Sequence, residues 1–239
     1  MRALFFAFSF LILFSSCRFF AGERVRGNGR VTMTQKDVTG FNSVDVGGQF
    51  VLRLSQGPAS SVKIETDENL VEFIEVYKEG STLVIHTKEG FDLDPSRELI
   101  VHVTAPAYRN IDASGQCEII GVTPITGSEP LSIEVSGQGT ISMQVDVPRL
   151  STDISGQGDV FIKGRATEFF SEVSGSGTIK CLDLITDNTT LDISGSSDVE
   201  ITANKQLNVD ASGASTVHYR GNASVSQNTS GASTVKKVG

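Results

Sequence analysis

The chain has 239 residues, with 28 Asp and Glu against 20 Lys and Arg, for a formal net charge of -8. That balance, with no basic stripe, excludes a nucleic-acid binder. The lack of Trp and an aromatic content of 7% speak against a glycan platform built on stacked rings.

Residues 1–17 read as a lipoprotein signal peptide. Arg2 gives a positive start, residues 3–14 are an apolar run too short to span as a mature helix, and Ser15-Ser16 precede Cys17. Small residues followed by Cys resemble a bacterial lipobox, although Phe14 stands where Leu is usual. In such signals the Cys is acylated and becomes the first mature residue. Cys17 is therefore the expected lipidation site, and the membrane is a partner through that anchor. Each buried CH₂ of an acyl chain contributes about 0.8 kcal/mol, so several chains hold firmly. The expected place is the cell envelope, anchored to a bacterial membrane, with the outer membrane favoured. Arg18, Phe19 and Phe20 supply no acidic export cluster, which leaves the periplasmic and surface sides both open.

Residues 18–110 read as an irregular, β-rich region. Gly27-Asn28-Gly29 is no phosphate loop, since no Lys-Ser/Thr follows and no βαβ unit surrounds it. Segments 62–66, 82–86 and 99–103 alternate apolar and polar as strands do, and Gly80-Ser81 suits a turn. Asp67-Glu68-Asn69 reads as the cap of a short helical turn. Asp45-Val46-Gly47-Gly48-Gln49-Phe50-Val51-Leu52 aligns with Asp112-Ala113-Ser114-Gly115-Gln116-Cys117-Glu118-Ile119, so a copy of the later repeat stands upstream. The segment between them, about 56–106, is the only stretch long enough to wall a cleft.

Residues 111–239 read as seven coils of a β-helix, continuous with the preceding region. Ser-Gly pairs begin at Ser114, Ser136, Ser155, Ser174, Ser194, Ser212 and Ser230, at steps of 18 to 22 residues. Such a period marks a solenoid, whose units bury their apolar faces only by stacking. Five residues after each Ser stand Ile119, Ile141, Val160, Ile179, Val199, Val217 and Val235, all β-branched and suited to strands. Glycine follows each corner Ser, as expected where φ must be positive. The expected fold is all-β: a right-handed parallel β-helix (solenoid), its hand taken from the crossover rule. Cys117 and Cys181 stand three coils apart, about 14 Å at strand spacing, so they are expected to be free thiols.

Two columns invite chemistry. Two residues before each Ser stand Asp112, Glu134, Asp153, Glu172, Asp192, Asp210 and Asn228. Side by side at strand spacing, these acids either accept hydrogen bonds at the corners or are bridged by cations. The repeated Ser cannot all be nucleophiles, and none of His86, His102 and His218 completes a triad. The corner hydroxyls read as a ladder bonding along the stack. No catalytic, cofactor or metal residue is assigned.

Gly27-Asn28-Gly29, Phe41-Asn42-Ser43-Val44-Asp45-Val46-Gly47-Gly48 and the Ser-Gly-Gln-Gly and Ser-Gly-Ser-Gly corners together resemble the DUF2807 family, the auto-transporter adhesin head GIN domain, over about residues 27–235. The resemblance implies a β-helical fold and an adhesin role in envelopes of Bacteroidetes-type bacteria, and offers no catalytic residues. Residues 235–239 close the last repeat without a translocator, so self-export is not expected. The function expected is a non-enzymatic envelope lipoprotein, an adhesin or display scaffold, with an envelope protein or glycan as partner. The alternative is a polysaccharide-processing β-helix enzyme, which would need a walled cleft.

Overall fold

The structure, a computed structural model, describes residues 22–239; Cys17 and the expected signal peptide lie outside the described residues. The described chain is almost entirely strand. Its elements are β1 (Glu23–Arg26), β2 (Val31–Lys36), β3 (Ser43–Gln56), β4 (Ser61–Asp67), β5 (Ile74–Glu79), β6 (Thr82–Thr87), β7 (Phe91–Asp94), β8 (Ile100–Ala105), β9 (Asn110–Gly121), β10 (Ile125–Thr126), β11 (Leu131–Gly213), β12 (Thr216–Arg220), β13 (Ser224–Thr229) and β14 (Thr234–Lys237). One 3-10 turn, Glu68–Phe73, follows β4.

β3 and β9 pair in parallel in the register that the repeat alignment predicts: Asp45 faces Asp112, Gly48 faces Gly115 and Leu52 faces Ile119. The intervening chain returns to the far side of β3. There β6 pairs in parallel with residues 43–47, and β8 with residues 51–56. Antiparallel pairings then extend the sheet, β4 on β8, β2 on β4 and β5 on β6. The predicted turn at Gly80-Ser81 closes the β5–β6 hairpin, with Gly80 at φ 58°.

β11 is 83 residues of extended backbone. Laid straight it would run roughly 270 Å at 3.3 Å per residue. Instead its start pairs in parallel with β9, and its end pairs with β12 and β13, each one repeat away. The corners show how successive repeats meet. Gly175 has φ 138°, and a Cβ there would run into the carbonyl oxygen of Gly156, the glycine one repeat earlier. The same collision recurs at Gly137, Gly156, Gly195, Gly213 and Gly231. Glycine is required twice over, for its dihedral and for its lack of a side chain.

The inward columns are as the alternation predicts. Leu52, Ile119, Ile141, Val160, Ile179, Val199 and Val217 are all buried, and Val235 is partly so. Residues one before the corners, Val46, Ala113, Val135, Ile154, Val173, Ile193 and Ala211, form a second buried column. The pattern decays at the last repeat, where Thr229 and Lys237 are exposed.

The all-β class is what the structure shows; its strands form one large mixed sheet beside a two-stranded β1–β7 sheet, where a right-handed parallel β-helix with a less regular β-rich N-terminal part was expected. The cause lies before residue 106. There short strands are joined by tight turns, which allow antiparallel pairing, whereas β11 pairs in parallel with β9, β12 and β13, and β12 with β14.

Truncating Ile179 to Ala removes a buried side chain between Val160 and Val199, and should cost about 2 to 4 kcal/mol in denaturant unfolding. Gly175→Ala should cost at least about 1 to 3 kcal/mol, from its dihedral alone; unchanged stability in either variant would contradict the stacking.

Candidate functional site

Two residues after the corner Ser, the sequence places Gln116, Gln138 and Gln157, with Gln49 in the upstream copy. Pairing puts Gln49 beside Gln116 and Gln116 beside Gln138. Gln116 Nε2 donates to Gln138 Oε1 at 3.4 Å, and Gln138 Nε2 to Gln157 Oε1 at 3.1 Å. The result is a ladder of side-chain amides, continued by Ser176 in the next repeat.

Next to the ladder the chain carries Gly139, Gly158 and Gly177. A Cβ on Gly158 would lie 2.9 Å from Ile154 Cγ2, so the corner stays bare. Further along, Ser197 and Ser215 take this place and are buried. Ser215 Oγ donates to the Gly195 carbonyl at 3.2 Å, and the Ser197 N–H donates to Ser215 Oγ at 3.3 Å. Serine hydroxyls thus bond along the stack in the last repeats, through backbone groups of the neighbouring repeat, and not in the ladder of Ser-Gly serines that was expected. Of those, Ser212 Oγ donates to the Ile193 carbonyl at 3.4 Å. Cys117 fills the same column higher up, its Sγ donating to the Ser114 carbonyl at 3.4 Å. Cys117 and Cys181 are buried free thiols, as expected. Burial pushes both up, Cys181 to about 12, so neither is a reactive thiolate.

Ladder and bare corners form one side of an open groove of about 970 Å³. The other side is a wall from the intervening segment, including Thr87, Phe91, Leu93, Pro95 and Leu99. Among the described residues, four carboxylates line the groove, Asp92, Glu98, Glu118 and Asp159, and no Lys, Arg or His does. Thr140 and Thr178 alternate with Glu118 and Asp159 along its floor.

The wall is held by contacts that no periodic pattern announces. β7 pairs in parallel with β1, Arg24 meets Asp94 at 3.2 Å, and the Phe91 ring packs on Phe73 at 4.6 Å between centroids. Asp67 is the central brace. Its buried carboxylate accepts from Ser96 N–H at 2.8 Å, Ser96 Oγ at 2.7 Å and Gly29 N–H at 2.7 Å. The sequence casts Asp67 as a helix cap, yet its side chain makes no cap bond; it joins β4 to the wall. Burial alone would raise its pKa, but the hydrogen bonds from Ser96 and Gly29 outweigh that and hold the carboxyl below the usual aspartate range.

The acidic column forms on the opposite flank of the corners, with Asp45 added before Asp112. Its acids from Asp112 onward are exposed, and among the described residues none accepts a hydrogen bond at a corner; Asn228 Nδ2 donates to Asp210 Oδ2 at 3.3 Å. Corner bonding is therefore corrected: the carboxylates point to water. Partial desolvation, then the charges of Asp45 and Glu134, raise the Asp112 pKa. Among the described residues no cluster of three or more His, Cys, Asp or Glu could hold a metal. His86 pairs with Glu75 and His102 with Glu65, each at 2.9 Å, as strand-surface contacts. Half-buried His218 leaves Nδ1 unpartnered.

The chain belongs to the DUF2807 family, described as "Putative auto-transporter adhesin, head GIN domain", whose model matches residues 40–223. No protein of curated function matches it. Its fold is similar to that of a "putative adhesin" from Bacteroides fragilis NCTC 9343, at 19% identity and TM-score 0.83, covering 90% of this chain and 100% of that one. It is also similar to a "Putative lipid binding protein" from Parabacteroides distasonis ATCC 8503, at 20% identity and TM-score 0.69, over 91% of this chain and 100% of that one. A "putative adhesin" from Parabacteroides merdae ATCC 43184 follows at 22% identity and TM-score 0.63, with coverage of 91% and 100%. At these identities the likeness is one of fold. Among the described residues no helix is long and apolar enough to cross a membrane.

Asp67 has a lowered folded pKa, so its contribution to stability is present above the ordinary aspartate value of about 3.9 and is lost as pH falls through the lower folded value. Asp67→Asn should lower the melting temperature at neutral pH and flatten its loss in acid; an unchanged melting curve would remove Asp67 from the brace.

Proposed function

We propose that this chain is a non-enzymatic, lipid-anchored envelope protein of the adhesin type, and that it holds its ligand in the groove beside the glutamine ladder. The observation that carries this reading is the groove itself. A regular row of amides faces a wall supplied by a non-repeating segment, and that wall is braced by Asp67. The family description supports an envelope or surface setting.

Three finer features belong to the same reading. Residues 111–239 wind as a right-handed parallel β-helix of seven coils, with 18–110 as a less regular part continuous with it. Support comes from parallel pairings one repeat apart and from glycine stacked on glycine; the hand follows from the crossover rule. Cys17 carries the lipid that ties the domain to the outer membrane. The partner beyond that membrane is a glycan or protein of the envelope or of a neighbouring surface.

The wall also favours a second reading, since a polysaccharide-processing enzyme needs one, and would draw on Asp92, Glu98, Glu118 and Asp159. Glu118 and Asp159 rise from one row of the sheet with Thr140 between them, about 10 Å apart at strand spacing, and so do not straddle a bound sugar as an acid and a nucleophile must. Release of reducing ends from any polysaccharide by the purified protein would establish the second reading over the first.

Two outcomes test the first. Cys17→Ser should move the protein from the membrane fraction to the soluble fraction; unchanged fractionation, with no lipid label on the wild type, rejects the anchor. Filling the groove with Gln138→Arg and Gln157→Arg should abolish attachment of protein-coated beads to cell surfaces while folding is kept. Equal attachment would move the ligand site elsewhere.

A further inference from the structure

We propose that the groove's ligand is a neutral, linear oligosaccharide lying along the glutamine ladder; the proposal rests on the groove being the ligand site. Periodicity is the first ground. From Gln49 to Ser176 the ladder has four steps, about 19 Å at strand spacing. A chain of similar repeat, such as extended, equatorially linked pyranoses, would meet the same protein group at each rung.

Hydrogen-bond chemistry is the second. A carboxamide is donor and acceptor at once, and so is a sugar hydroxyl. The bonds along the ladder use one N–H of Gln116 and of Gln138, so each amide nitrogen keeps a hydrogen for a ligand. Threonine hydroxyls of Thr140 and Thr178 add to the row, and the partly exposed Phe91 and Leu93 on the wall offer apolar surface to the C–H faces of sugar rings.

Charge is the third. With four carboxylates and, among the described residues, no cation on its lining, the groove repels uronates and other polyanions. A peptide could be drawn by the same charge, but peptides dock on sheets chiefly by adding a strand to a free edge. Here β3 and β9 already spend their backbone groups on parallel neighbours. The ladder offers side-chain amides in place of an edge, which suits hydroxyls.

The test is calorimetric titration of the folded protein with neutral, β-linked tetrasaccharides of glucose, mannose, xylose and N-acetylglucosamine. β-1,4-linked tetraglucuronate and a lysine-rich octapeptide serve as controls. At least one neutral tetrasaccharide should bind, and β-1,4-linked tetraglucuronate should not. Gln138→Ala with Gln157→Ala should weaken that binding about tenfold or more, the loss of roughly one hydrogen bond, at an unchanged melting temperature. Glu118→Gln with Asp159→Asn should admit β-1,4-linked tetraglucuronate. Failure of every neutral tetrasaccharide to bind, or binding indifferent to the glutamine pair, overturns the proposal. Binding of the lysine peptide, lost in Glu118→Gln with Asp159→Asn, assigns the groove to a cationic peptide. If the sugars fail while groove filling still abolishes bead attachment, the ligand class alone is wrong. If groove filling leaves attachment intact, the groove is not the site.

Discussion

At each corner the carbonyl oxygen of one glycine occupies the space where the next glycine's Cβ would be, from Gly115 against Gly48 to Gly231 against Gly213. This backbone contact sets how closely successive repeats approach and fixes their register. Everything periodic in the molecule inherits that register. The β-branched column from Ile119 to Val217 stacks inside it, and the amides of Gln116, Gln138 and Gln157 align outside it. A methyl group at any one corner would force its two repeats apart and misalign core and ladder together.

The same register imposes a cost. It draws Asp45, Asp112 and Glu134 into one row, and their mutual repulsion helps raise the Asp112 pKa. An acid with a raised folded pKa destabilises when charged, the opposite sign from Asp67. Core burial offsets this. Each fully buried aliphatic side chain contributes about 1.5 to 3 kcal/mol, and every repeat as far as Val217 supplies such side chains. Exposure to water keeps the repulsion modest, and a charged flank opposes association of copies through that face.

How much was legible in the sequence follows from what is periodic. The alignment of Asp45 with Asp112 gave the β3–β9 register across a long insertion, because the two strands answer to the same corner geometry. The inward columns followed from alternation, and the free thiols from coil spacing. The groove wall did not. Ser96 and Asp67 stand 29 residues apart and Gly29 and Asp67 stand 38 apart, and a single buried carboxylate joining them leaves no local pattern. The antiparallel pairings of β2, β4 and β5 were hidden for a related reason: alternation marks a strand without giving its partner or direction. The bonding assigned to the corner acids and serines failed because identical residues in a column need not bond one another. The hydroxyls that do bond along the stack, those of Ser215 and Ser233, accept from the backbone N–H groups of Ser197 and Ser215 and stand in place of the glycines three residues after the corner serines.

The central claim is that the ladder side of the corners, and not the acidic flank, is the working surface. Two-dimensional ¹⁵N NMR of the folded protein, titrated with the tetrasaccharide that binds, tests it most directly. Side-chain amide signals of Gln116, Gln138 and Gln157 and backbone signals of Gly139 and Gly158 should move together and saturate together. Shifts confined to the face carrying Glu134, Asp153, Glu172 and Asp192, with the glutamine amides unmoved, would contradict the account.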